Sequence, residues 1–352
     1  MSASYLDEIC EQPAMLRRLS EGLEPAATQD LHDVRERLLS GDLDRVLLTG
    51  MGGSLYSAYP ACLQLAMGAG VPVSVIDASE LVQQVPDVIT SRSLLIAISQ
   101  SGESGELVEL AKLTSVRPAV SVSVTNLTGN SLAAWADVRL FSMAGPERTV
   151  SSKTYTGGLA CLHLLSAALC GKPDVAEREI AAAADCCARM LEQWQPDITR
   201  IASFLDPQLP LVYVGRGRSL ASAQTAALLT QEAAKLPCTA LSGGQFRHGP
   251  IELVRPSFQA VVFLGDLKTR DIDLALIERI ASFGGKVVVV APRSSSPAEI
   301  ANTCVFTYPD MPQPVTPIAE AIFIQLLQIP LAEARGFVAG QFTTATKVTG
   351  IL

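Results

Sequence analysis

Residues 93–104 read Ser93-Leu94-Leu95-Ile96-Ala97-Ile98-Ser99-Gln100-Ser101-Gly102-Glu103-Ser104. The run Ser93–Ala97 is apolar and of buried-strand length. Beyond Ser104, Leu107, Leu110 and Ala111 recur at helical spacing within Gly105–Leu113. Short polar side chains therefore stand where a strand ends and a helix begins. Unpaired backbone N–H groups and the positive end of a helix dipole collect there, and an anion of phosphate size fits without a buried lysine. A plain helix cap would use one serine. Ser99, Ser101 and Ser104, with Gln100 between them, exceed that need, so the stretch reads as a phosphate site.

The same alternation extends through the first half. Strands are expected at Arg45–Thr49, Val71–Ile76, Ser93–Ala97, Ala119–Val124 and Val138–Phe141, the last edge-like. Two amphipathic helices, 8–22 and 30–40, precede them, and another helix runs from Ser54 to about Met67. Alternating strands and helices argue a parallel sheet covered on both faces, α/β in class, with ligands beyond the carboxyl ends of its strands. The turn Gly50-Met51-Gly52-Gly53-Ser54 and the Ser99–Ser104 stretch both fall there. Gly50 and Gly52 do not open a dinucleotide fingerprint, because Leu55 stands where a third glycine belongs. Nicotinamide and flavin chemistry is thereby disfavoured.

Thr149-Val150-Ser151-Ser152-Lys153 opens a helical region reaching about Arg200, and Pro207–Pro210 reads as a linker. The pattern then restarts. Leu211–Val214 leads into Gly215-Arg216-Gly217-Arg218-Ser219, and further strands are expected at Ala260–Leu264, Lys286–Ala291 and Cys304–Thr307. The two glycine turns hold equivalent places, which argues an internal duplication. Arg216 and Arg218 read equally as surface charge or as site residues. A long helix at about 316–336 closes the second half, and 337–352 form a tail with little periodicity. The expected organisation is N-terminal helices at 1–40, a first sheet domain at 41–200, a second at 201–336 and the tail.

A second centre spans Gln231-Glu232-Ala233-Ala234-Lys235 and Gly243-Gly244-Gln245-Phe246-Arg247-His248-Gly249-Pro250. Glu232 lies in an alanine- and leucine-rich helix, where partial burial would raise a carboxylate towards a useful base. An exposed carboxylate is the plainer alternative. His248 sits between a glycine pair and Gly-Pro, in a rigid loop.

Composition narrows the functional classes. Of 352 residues, 48% are hydrophobic, 18% charged and 5% aromatic, and the net charge is −8 with no basic stripe, which disfavours nucleic-acid binding. The eight cysteines form no CxxC pair and read as reduced thiols of a cytoplasmic protein. Histidines at 32, 163 and 248 make no zinc constellation. The polar N-terminus is no signal peptide, and no apolar span demands a membrane; Ala160–Ala168 reads as a core helix.

These stretches together resemble the sugar isomerase (SIS) domain family, and within it the isomerase half of the glutamine–fructose-6-phosphate transaminases. The resemblance rests on Glu8-Ile9-Cys10-Glu11-Gln12-Pro13, GMGGS, Ala78-Ser79-Glu80, SQSGES, Val150-Ser151-Ser152-Lys153, GRG, the Gln231-Glu232 pair with GQFRHGP, and Lys347, all in family order. It implies two tandem doubly wound SIS domains with a C-terminal tail over the site. It implies that Gly53, Ser54, Ser99, Gln100, Ser101 and Ser104 bind the sugar phosphate and that Ser151 lines the sugar. Glu232 matches the base that moves a proton between C1 and C2. His248 matches the ring-opening acid/base, which in that family comes from the neighbouring subunit. Lys347 matches the tail lysine that contacts, or forms an imine with, the sugar carbonyl.

Three departures accompany the resemblance. No glutaminase domain is expected before residue 8, and Ser2 follows Met1, so an N-terminal cysteine is not in place. The family's lysine one turn before the base is Leu229 here. The Asp-x-Pro-Arg pattern before the tail lysine is replaced; Gly340, Phe342 and Thr343 stand there. The expected function is isomerisation of an amino-sugar 6-phosphate with loss of the amine, in a homodimer, with no nucleic acid or membrane partner. No metal or redox cofactor is required, since the proton moves within the substrate. Two alternatives stay open. One is a deglycase for fructosamine-type 6-phosphates, with Leu229 as an apolar wall; the other is a non-catalytic sugar-phosphate sensor.

Overall fold

A computed structural model describes residues 4–113, 117–344, 346–348 and 350. Met1–Ala3, with Ser2, and parts of the tail lie outside the described residues. Three helices open the chain: α1 (Tyr5–Cys10), α2 (Gln12–Leu19) and α3 (Pro25–Leu39). The single helix expected over 8–22 is thus two. Glu11 ends the first, and Pro13, which lacks an N–H, fits only the first turn of a new one.

The first sheet follows as β1 (Arg45–Gly50), α4 (Gly52–Gly68), β2 (Val73–Asp77), α5 (Ala78–Gln83), β3 (Ser93–Ile98), α6 (Gly105–Lys112), β4 (Val120–Thr125), α7 (Ser131–Trp135) and β5 (Val138–Phe141). The strands are parallel in the order β2-β1-β3-β4-β5, with β5 at an edge as expected. Leu47, Leu95 and Ala97 point to one face and pack with Ala78, Leu81, Leu107, Leu110 and Leu132 from α5, α6 and α7. The region from 149 to about 200 is three helices: α8 (Lys153–Leu169), α9 (Pro173–Glu192) and α10 (Trp194–Phe204). The first of these, with α4, covers the other face.

The second sheet repeats the scheme. Its elements are β6 (Leu211–Gly215), α11 (Ser219–Leu229), β7 (Cys238–Ser242), α12 (Gly243–Arg247), β8 (Gln259–Phe263), α13 (Arg270–Ser282), β9 (Lys286–Pro292), β10 (Thr303–Tyr308) and α14 (Thr316–Ala334). All pairs are parallel in the order β10-β9-β8-β6-β7. Val212, Val214, Ala260, Val262, Val287 and Val289 pack on Phe246, Leu276, Ile277 and Ile280. On the opposite face Phe263 and Phe306 meet Phe323 of α14 at 6.5 and 4.7 Å between ring centroids. Phe323 is fully buried, which stabilises the fold by about 2–3 kcal/mol. β7 has no counterpart in the sequence reading. It is a half-exposed edge strand of Cys, Thr, Ala, Leu and Ser, so it lacks the continuous apolar run of a central strand.

The stretch Gln313–Ala334 is long and apolar enough to cross a membrane, but 89% of its hydrophobic window is buried within the protein, as a core helix would be. All eight cysteines are free thiols. Two compact units divide the chain. One holds the first sheet (Ala14–Arg148, Lys153–Ala181 and the tail from Thr344). The other holds the second sheet (residues up to Pro13, Thr149–Ser152 and Ala182–Thr343).

Candidate functional site

In the first-sheet unit, β1 and β3 are neighbours whose further partners lie on opposite sides, so the crevice beyond their ends is a topological switch point. Gly50 pairs with Ile98, so both loops leave the sheet side by side. A side chain on Gly50 would lie 2.8 Å from the Ile98 carbonyl oxygen, which explains the glycine. Gly52 opens α4 at φ +51°, a conformation that suits glycine. Gly53 and Ser54 follow, half-buried, in the first turn, where Ser54 N donates to Met51 O at 3.1 Å.

The serines of the second loop are not spent as a cap. Ser104 precedes α6 in extended backbone and makes no side-chain cap bond. Its Oγ lies 3.1 Å from Ser99 Oγ. Ser99 Oγ also accepts from Gly102 N at 3.1 Å, and Ser101 Oγ accepts from Glu103 N at 3.1 Å. These bonds curl the loop so that Gln100, Ser101 and Ser104 stay partly open. The loop is lashed to α7. Gly102, at φ +70°, packs against Asn130, whose amide oxygen accepts from Ala133 N. Glu103 accepts from Ser131 N and Oγ at 2.7 and 2.8 Å. Glu103 thus shapes the loop from outside.

Lys347 belongs to the same unit. Its ammonium pairs with Glu147, whose side chain is wholly buried. Glu147 also accepts from Thr154 N at 3.0 Å and Thr154 Oγ1 at 2.6 Å, in the first turn of α8. The sequence reading did not single out Glu147. The signal was faint: one carboxylate seven residues before a helix-opening threonine.

In the second-sheet unit, the segment bearing Ser151 is held from three sides. Thr149 donates to Glu8 through Oγ1, Val150 N donates to Gly340 O at 3.0 Å, and Gln325 Nε2 donates to Ser152 O at 3.2 Å. Gln12 steadies Gln325 at 2.6 Å. The N-terminal residues quoted for the resemblance are therefore props for the Ser151 segment.

Glu232 does not stand in a regular α-helix. α11 ends at Leu229, and Thr230–Ala234 form a π-turn. Such turns insert one residue per turn and recur at functional sites. Lys235 terminates it in left-handed backbone at φ +53°. Arg335 donates to the carbonyls of Ala234, Lys235 and Pro207 at 2.9, 3.0 and 2.7 Å. Glu232 itself is half-buried, while Leu229 is 1% exposed.

His248 is exposed, at the end of α12, followed by Gly249 at φ +143°. Arg216 is no surface charge. Its guanidinium lies against Gly243, and its Nε donates to Asp273 at 2.6 Å. Burial raises the Asp273 carboxyl, while bonds from Thr269 and Arg216 oppose the shift. Arg218 is half-buried. Glu232 precedes the start of β7 and His248 follows its end. Glu232 thus lies in the turn that leads into β7 and His248 in the segment that leaves it.

A family model for the SIS domain matches residues 42–169 and 207–332. The glutamine–fructose-6-phosphate aminotransferase (isomerizing) of Pyrococcus horikoshii is 31% identical over 337 residues, which cover 94% of this chain and 55% of that protein. The chain thus spans about half the length of such relatives. Among solved structures, the C-terminal domain of glucosamine-fructose-6-phosphate aminotransferase from Francisella tularensis superposes with a TM-score of 0.83 at 22% identity, covering 97% of this chain and 99% of that one. The glucosamine-6-phosphate deaminase of Thermotoga maritima gives 0.75 at 19%, covering 98% of each.

Proposed function

The chain belongs to the SIS domain family, and on that premise we propose that it isomerises an amino-sugar 6-phosphate and releases the amine. One observation carries the reading: at the switch point of the first sheet, the Ser99–Ser104 loop presents serines that no helix cap consumes, beside the strand end that leads into α4. A phosphate dianion would be met there by hydroxyls, by first-turn amides and by the dipoles of α4 and α6. Ser151 would line the sugar. Glu232 takes the proton from one of C1 and C2 and returns it to the other. Lys347 meets the carbonyl end. Hydrolysis of the resulting imine frees ammonia.

His248 opens the ring, and the family resemblance implies that it acts on the substrate of a second copy. The functional unit is then a homodimer. The names of the aminotransferase and deaminase relatives accord with an amino sugar as substrate.

The test is a panel of sugar 6-phosphates, amino-sugar 6-phosphates and fructosamine-type 6-phosphates, scored by thermal shift and by mass spectrometry of products. Glucosamine-6-phosphate is expected to raise the midpoint and yield a ketose phosphate and ammonia. Glu232→Gln is expected to keep the shift and lose turnover by about 10²–10⁴-fold. Unchanged turnover in that variant refutes the assignment. A shift without turnover for every compound would make the chain a sensor.

A further inference from the structure

We propose that Lys235 is a positioning residue: it fastens the C-terminal tail to the turn that carries Glu232, from the C-terminal end of that turn. The inference rests on the reading of Glu232 as the base. Its ground is a set of contacts within the second-sheet unit. The Lys235 ammonium donates to the Glu232 carbonyl, closing the π-turn on itself. The same ammonium donates to Gln341 O at 2.7 Å and lies 5.8 Å from the Phe337 ring centroid. One cation thus grips the base turn and two points of the tail. Both are charge-assisted or cation–π contacts, stronger than neutral ones.

The tail in turn is pinned to the Ser151 segment. Gly340 O accepts from Val150 N, and a side chain at Gly340 would lie 2.9 Å from Thr149 and Tyr5. Lys235 therefore closes a circuit from the base turn through the tail to the sugar-lining segment. Its backbone is held at positive φ, uncommon for lysine, which aims the side chain back over the turn. Burial lowers the ammonium's pKa and the nearby Glu232 carboxylate raises it, which places the two charges within Coulombic reach. The resemblance assigns a lysine to position 229, where this chain has a buried leucine. Lys235 brings a cation to the C-terminal end of the same turn.

Hydrogen exchange and kinetics on the full chain test this with three variants. Lys235→Met keeps the stem and removes the charge. Lys235→Gly suits φ +53° and so folds without strain, and Lys235→Arg restores a donor. In the Met and Gly variants, the tail amides between Phe337 and Gln341 are expected to exchange about tenfold or more faster. kcat is expected to fall about 10–100-fold while KM, set by the phosphate loops, stays within about twofold. Arg is expected to recover most of both. Unchanged tail exchange overturns the proposal, and so does a rise in KM at constant kcat. If the tail loosens but Glu232→Gln keeps full turnover, the fastening stands and the assignment of the base falls.

Discussion

Glu320→Gln should flatten one component of the pH dependence of stability. Glu320 lies in α14, is wholly buried, and accepts from Ser219 Oγ at 2.8 Å and from Ser222 Oγ. Gly265 leaves it room; a side chain there would come within 2.1 Å of Oε1. Burial pushes its carboxyl from 4.5 up to about 7, against the opposing pull of the two serines. The folded protein therefore holds this proton more tightly than the unfolded chain does. Between about pH 4.5 and 7 the folded state carries the extra proton, so stability falls as pH rises through that window. The contribution is fully present below about 4.5 and gone above about 7. A gap of roughly 2.5 units corresponds to about 3 kcal/mol.

Glutamine has the same shape, accepts from one serine and cannot ionise. Urea unfolding of both proteins from pH 4.5 to 8.5 measures the effect. The variant's stability relative to wild type should climb by about 3 kcal/mol across the window, with most of the change by pH 7. Other carboxylates, including Asp273, are common to both proteins and cancel in the difference. A difference that stays flat within about 0.5 kcal/mol would refute the argument that burial outweighs the serine bonds at this site.

Two further substitutions probe the loops beyond the strands. Gly102→Ala forces a side chain into left-handed backbone and onto Asn130, 2.0 Å from its Oδ1, which also breaks the cap of α7. It should destabilise the protein by about 2–4 kcal/mol and weaken binding of a sugar 6-phosphate, read by calorimetry and titration. Arg216→Met leaves Asp273, 2% exposed, without its cation. A loss of about 3–5 kcal/mol is expected in urea, partly recovered by Asp273→Leu in the same chain.

The parts of this molecule legible in its sequence are those where neighbours in space are also neighbours along the chain. Central parallel strands are buried on both faces, so Leu94–Ile98 and Val287–Ala291 announce themselves as unbroken apolar runs. The loops at Gly50–Ser54 and Ser99–Ser104 are equally local, because a strand end, a few small or polar residues and a helix start suffice to make them. β7 escaped because an edge strand needs no such run. The π-turn escaped because one inserted residue leaves no trace in a stretch of alanine and leucine whose every phase looks alike. The remaining omissions share one cause. Glu147 meets Lys347 across 200 residues, Lys235 meets Gln341 across 106, and Arg335 reaches Ala234 across 101. Each pair joins a charge to a partner that only the folded chain supplies, and no periodicity encodes such a meeting. Lys235 and Arg335 fasten the turn that carries Glu232, and Glu147 holds Lys347. The Ser99–Ser104 loop can be read from a dozen consecutive residues because its side-chain bonds are made within it and to α7. The turn of Glu232 and the setting of Lys347 cannot be read so, because long-range contacts hold them.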